Sequence, residues 1–180
     1  MINSIPCVIL SLLLYPVTSG AGELSQLTDG PRYALSLQDT EGRQRTLDEF
    51  RGQVLMIHFW ASWCTPCIQE MPGLLHLRDA MRGYPLTVVG INVGETELRA
   101  KTAARRLGLD FPVLLDRDSR IFEAWSLGVL PSTYILDGNG QARYLVRGPM
   151  DWERDDILNT LKDLAQPSPG VSSANRQPHH

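Results

Sequence analysis

Between Gln53 and Leu77 the hydrophobic pattern changes from continuous to helical within a few residues, and two cysteines sit at the change. "QVLMIHFWA" (Gln53 to Ala61) is almost wholly apolar, the pattern of a strand buried on both faces. From Cys64 onward Ile68, Met71, Leu74, Leu75 and Leu77 recur at three- and four-residue spacing, which predicts a helix beginning at the cysteine. Pro72 lies inside it, cannot donate to the Ile68 carbonyl, and is expected to kink it. A strand covered on both faces needs helices on both sides, so this stretch already argues for an α/β sandwich.

The rest of the chain fits that class. Alternation around Tyr33, Leu35 and Leu37, a turn at Asp39 to Gly42 and a return predict a hairpin; "LDEF" is a helical turn that Gly52 breaks. "LTVVGINVG" (Leu86 to Gly94) is a second buried strand, "ETELRAKTAARRLGL" a helix, "FPVLLD" a short strand and "RIFEAWSLGV" a short helix. "STYILDGNGQARYLVRG" reads as a hairpin around "DGNG", and "DWERDDILNTLKDLAQ" as a last helix with Trp152, Ile157, Leu158, Leu161 and Leu164 facing inward. The order predicts a mixed sheet flanked by helices, its first two buried strands parallel and adjacent.

The ends are different in kind. "IPCVILSLLLYPV" followed by "TSGAG" has the apolar core and small-residue zone of a secretory signal, with cleavage expected after Ala21, or else of a membrane anchor. No Lys or Arg precedes it. Residues 22–30 read as a linker, and 167–180, rich in Pro and Ser, as a disordered tail. The formal net charge of −3 without a basic cluster argues against nucleic acid as a partner. There are three cysteines, and loss of Cys7 with the leader leaves Cys64 and Cys67.

Three chemistries compete for that pair. A structural zinc site needs four ligands, and the remaining candidates are His58, His76, His179 and His180, the last two in the tail. A purely structural disulfide would close a four-residue ring and remove little loop entropy. Redox exchange fits better. At a helix N-terminus the unpaired N–H groups and the dipole favour a thiolate at Cys64. Cys67, one turn in, can then displace a mixed disulfide from it. Pro131 precedes the last hairpin; it is either an ordinary trans proline opening a strand or a cis proline.

Taken in order, "FWASWCTPCIQEMP", "GINVGE", "FPVLLD", "GVLPSTYILDGNG" and the final amphipathic helix resemble the exported thioredoxin-like thiol–disulfide oxidoreductases of the TlpA/ResA/CcmG type. The resemblance implies a thioredoxin-like α/β fold over residues 31–166, a central mixed sheet flanked by helices with an extra N-terminal β-hairpin. It implies Cys64 as nucleophile, Cys67 as resolving thiol, and Pro131 as a cis proline exposing the Leu130 backbone to a bound peptide. Glu70 would be the acid beside the thiols, able to raise their pKa values and exchange a proton; alternatively it is an exposed helix glutamate.

His58 departs from the aspartate or asparagine that such proteins carry there. It is either a neutral core histidine held by a backbone carbonyl or a proton relay beneath the cysteines. Trp60 and Trp63 are expected to pack around the site, Trp63 also at its rim; Glu95 is either near the active surface or a helix-start acid. The resemblance further implies a monomer working in the periplasm or otherwise outside the cytoplasmic membrane. Its partners would be substrate proteins with disulfides, apocytochrome c among them, and a membrane thiol–disulfide electron donor. No cofactor or metal is expected. Two other activities stay open: a peroxiredoxin-like peroxidase and a non-catalytic peptide-binding module.

Overall fold

The computed structural model describes residues 22–125 and 127–166; the expected leader and tail lie outside the described residues. In chain order the elements are β1 (Ser25–Gln26), β2 (Ser36–Gln38), β3 (Gln44–Thr46), a 3-10 turn over Leu47–Phe50, β4 (Val54–Trp60), α1 (Thr65–Ala80), β5 (Leu86–Val93), α2 (Glu97–Arg106), β6 (Val113–Asp116), α3 (Arg120–Ala124), β7 (Ser132–Leu136), β8 (Ala142–Arg147) and α4 (Asp155–Ala165). Six strands form one sheet in the order β1-β8-β7-β4-β5-β6. β4 runs parallel to β5 and β5 to β6; the other pairings are antiparallel.

All seven residues of β4 are buried, as its continuous apolar run requires. Pleating divides them. Val54, Met56 and Trp60 join the core under α1 and α4, with Cys64, Cys67, Met71, Leu74, Trp152 and Leu161. Leu55, Ile57 and Phe59 enter the opposite core, where Trp125 and Tyr134 lie edge to face and Tyr33 stacks on Trp125.

Both sheet edges are covered or short. The β2–β3 hairpin is a separate two-stranded sheet whose turn is built on Asp39: its Oδ1 accepts the N–H groups of Glu41 and Arg43, while Gly42 takes φ +80°. This turn docks on β6, with Asp39 bridging Leu114 and the Thr40 N–H donating to the Val113 carbonyl. At the other edge Ser25 and Gln26 pair with Leu145 and Tyr144. The stretch expected as a linker therefore supplies an edge strand.

The helix through Pro72 runs from Thr65 to Ala80. Two further expectations need correcting in detail. The buried face of this helix runs Cys67, Glu70, Met71, Leu74 and Leu77, so Ile68 and Leu75 flank the stripe instead of centring it. Trp152 is buried, but it lies in the turn before α4, and Leu158 and Leu164 are only partly covered.

Candidate active site

β4 ends at Trp60 and α1 starts at Thr65, so the intervening turn carries Cys64 to the helix N-cap. Cys64 has extended backbone there (φ −84°, ψ 97°), and its Sγ accepts the Cys67 N–H at 3.3 Å. Pro66 sits in the first turn, where a missing N–H costs no helical hydrogen bond. That turn holds no acidic side chain, so nothing competes with a sulfur anion for the positive end of the helix. Cys64 and Cys67 are joined as a disulfide with Cα atoms 5.3 Å apart. Cys64 is 5% exposed and Cys67 fully buried.

Glu70 follows one turn after Cys67 and is 8% exposed. Its Oε2 accepts the Met150 N–H at 2.8 Å and the Trp152 indole N–H at 3.3 Å. Burial pushes the carboxyl up to about 7, against the lowering effect of those two hydrogen bonds. The residue lines a surface groove between α1 and the segment before α4, together with Pro66, Gln69, Pro149, Met150 and Trp152.

His58 lies on the face of β4 that looks toward α1. Its Nε2 is 3.4 Å from Glu70 Oε1, and its Nδ1 is 2.9 Å from Thr133 Oγ1 on the neighbouring strand β7. The partner is thus a threonine hydroxyl, not the backbone carbonyl expected. Full burial drives the imidazole down to about 3, so it is neutral at neutral pH. On its other side His58 is paired in register with Gly90.

Glu95 is buried, 5% exposed, just beyond β5. It accepts from the Ser62 N–H at 2.6 Å, the Ser62 hydroxyl at 2.5 Å and the Asn92 amide at 2.8 Å. Burial pulls its carboxyl up, but the Ser62 and Asn92 hydrogen bonds and the Arg99 charge outweigh that and hold it below the usual glutamate value. Glu95 therefore pins the residue two before Cys64. The Leu130–Pro131 peptide bond is cis, directly before β7. Trp60 is core, whereas Trp63 is 66% exposed and belongs to the rim alone.

So the fold brings Cys64 with Cys67 and Glu70 with His58, while Glu95 acts at a distance through Ser62. The sequence reading missed Ser62, Asn92, Thr133, Met150 and the indole of Trp152. Asn92 and Glu95 are visible in "NVGE", and Thr133 follows Pro131 by two residues, but their partners come from remote segments.

Comparison with known proteins identifies the family and the fold. The profile of the AhpC/TSA family matches residues 31–145. The thiol-disulfide oxidoreductase ResA of Geobacillus thermodenitrificans is 34% identical over 128 residues, covering 71% of this chain and 72% of that protein. ResA of Bacillus subtilis is 29% identical over 147 residues, 81% of each chain. Among solved structures, the thioredoxin domain of a thiol-disulfide oxidoreductase from Bacteroides vulgatus superposes with a TM-score of 0.67 at 22% identity, covering 79% of this chain and all of that domain. It shares the fold.

Proposed function

Because this chain belongs to the AhpC/TSA family and is a thioredoxin-like thiol–disulfide oxidoreductase, we propose that it reduces protein disulfides outside the cytoplasmic membrane through Cys64 and Cys67. The observation that carries the reading is the asymmetry of the pair. Cys64 is at the helix N-cap and keeps 5% of its surface exposed, while Cys67 is one turn in and fully covered.

In the dithiol form the Cys64 thiolate attacks one sulfur of a substrate disulfide. An S–S bond forms between Cys64 and the substrate, and the other substrate sulfur leaves as a thiolate that takes up a proton. Cys67 then loses its proton to Glu70 and attacks Cys64 Sγ. The Cys64–Cys67 disulfide forms, the second substrate thiolate is released, and two electrons have passed to the substrate. Pro131 leaves the Leu130 backbone to pair with the substrate chain, and Trp63 gives that chain an apolar rim. A membrane thiol–disulfide donor returns the electrons, and the CxxCH segment of apocytochrome c is the substrate class that the family resemblance suggests.

The test is trapping. With a disulfide-bonded peptide the Cys67→Ser protein accumulates a mixed disulfide at Cys64, and Cys64→Ser forms none. Full exchange by Cys64→Ser would overturn the reading. The reduction potential settles direction: a value near about −270 mV supports a reductant, one near about −120 mV an oxidant.

A further inference from the structure

A second groove opens between α1 and α2, and it shares no residue with the one beside Glu70. Ile68 of α1 and Ala103 and Leu107 of α2 line it; each is half-buried, packed on the core with part of its apolar surface still uncovered. Arg99 and Arg106 line it too, and both are exposed. They are seven positions apart, two helical turns, so they share one side of α2 about 10 Å from each other along its axis. Ser62 is also in the lining. It precedes Cys64 by two residues, so their Cα atoms are at most about 7 Å apart and the groove reaches the cysteine turn.

The acids nearest in sequence are engaged elsewhere. Glu97 pairs with Arg117 at 2.8 Å, and Asp110 pairs with Arg78. Glu95, whose carboxyl the Arg99 charge helps to hold low, gives its oxygens to Ser62 and Asn92. Among the described residues neither Arg99 nor Arg106 forms an ion pair of its own. Residues 1–21 and 167–180 contain no Asp or Glu, so no other segment of this chain can answer the two charges with a side chain. On a chain of formal net charge −3, this groove is an apolar channel with one positive wall.

We infer that the groove docks an acidic, apolar segment of the client polypeptide beside the cysteine being exchanged, with Arg99 and Arg106 as specificity-determining residues. The inference rests on the proposed reduction of protein disulfides at Cys64 and names the kind of client it favours. In a mixed disulfide the client cysteine has its Cα about 5–6 Å from that of Cys64, and extended chain advances about 3.3 Å per residue. Residues about three to six positions from the client cysteine therefore reach the groove. The distance between Arg99 and Arg106 equals about three residues of extended chain, so carboxylates two to four positions apart meet both guanidiniums, each of which can hold a carboxylate bidentately. An apolar residue between them covers Ile68, Ala103 and Leu107.

The other two cations of α2 do not join this wall. Lys101 donates to the Thr40 carbonyl at 2.9 Å, and Arg105 lines the hollow beside the Asp39 turn. An anionic bilayer is held by clusters of about four to eight basic residues. Two guanidiniums beside a concave apolar lining suit a peptide instead.

The experiment compares two disulfide-bonded peptides of equal length, one with Glu and one with Lys at the third and fifth positions from the cysteine, and a neutral peptide that normalises for folding and thiol content. An exposed ion pair is worth about threefold, so the native protein is expected to favour the acidic peptide by about tenfold in kcat/KM, less as salt rises. Arg106 is the position to change, because Arg99 also acts on Glu95. Arg106→Glu turns an attraction into a repulsion and should lower the acidic-over-basic ratio about tenfold, while Arg106→Lys keeps most of it. The acidic peptide with serine in place of cysteine should shift the amide NMR signals of Arg99 to Leu107 in the native protein, and the basic one should not. Equal kcat/KM for the two peptides, a ratio unmoved in Arg106→Glu, or unshifted α2 amides would overturn the inference. So would equal peptide rates together with phosphatidylglycerol-vesicle binding that Arg106→Glu abolishes, which would assign the groove to a lipid surface. The serine peptide reports docking whether or not Cys64 carries exchange, and failure of the cysteine reading appears separately, in the Cys64→Ser assay.

Discussion

Glu95 holds Ser62 by both its amide and its hydroxyl, at 2.6 and 2.5 Å, and so ties the end of β5 to the turn that delivers Cys64. The bond crosses 33 positions of sequence and is part-buried.

Glu95→Ala removes both contacts and strands the Asn92 amide, whose Oδ1 already has no partner among the described residues. Loss of charge-assisted hydrogen bonds at a buried site is expected to cost about 2–3 kcal/mol. Thermal unfolding should show it as a drop of about 5–10 °C for a domain of this size. Exchange by the still-folded fraction slows, because the N-cap geometry of Cys64 is no longer fixed.

The buried pair makes opposed contributions to stability. His58, lowered from 6.5 to about 3, makes stability fall as pH drops through that window, because the unfolded chain binds the proton first. Glu70, raised from 4.5 to about 7, makes stability fall as pH rises through its own window, because the folded state holds the proton longer. Between 4.5 and 6.5 the two slopes cancel. Glu70→Gln therefore extends the rise of stability with pH, already present from about 3 to 4.5, up to 6.5, by up to about 1.4 kcal/mol per unit. His58→Asn starts the fall at 4.5 instead of 6.5 and lets it run to about 7. Urea unfolding at a series of pH values reads both slopes; equal curves for the native and variant proteins would contradict the opposition.

Gly90 pairs with His58 and leaves no room for a side chain. A Cβ there would stand 3.0 Å from Trp60 Nε1 and 3.2 Å from Phe111 Cε2. Gly90→Ala overpacks the core at rigid rings and is expected to destabilise by about 1–3 kcal/mol in chemical unfolding.

Gly30 is tighter still. A Cβ there would meet the Ala142 carbonyl oxygen at 1.9 Å, so Gly30→Ala must push the 22–30 stretch off β8. The expected signature is early amide exchange confined to β1 and its partners Tyr144 and Leu145, with the β4 and β5 amides unchanged.

Much of this fold was legible because its strongest signals are local. β4 is apolar at every position but one, and Asp39 to Gly42 and "DGNG" are turns by their own chemistry. Cys64 and Cys67 could be read for the same reason. What stayed hidden depends on long-range meetings. The His58 to Thr133 contact spans 75 positions, and those from Glu70 to Met150 and Trp152 span 80 and 82. Glu70 itself could be suspected only through family likeness, since a glutamate at that point of a helix is ordinarily solvated. Ser25 and Gln26 carry no strand pattern; they pair because the outer edge of β8 offers free backbone groups.

Those edges bear on the company an oxidoreductase keeps. Partly folded clients present extended backbone and will add themselves to any open strand. Here β6 is occupied at Val113 and Leu114 by the hairpin turn, and the far side ends in a two-residue strand. An extended client chain therefore meets a covered edge on one flank and a short one on the other.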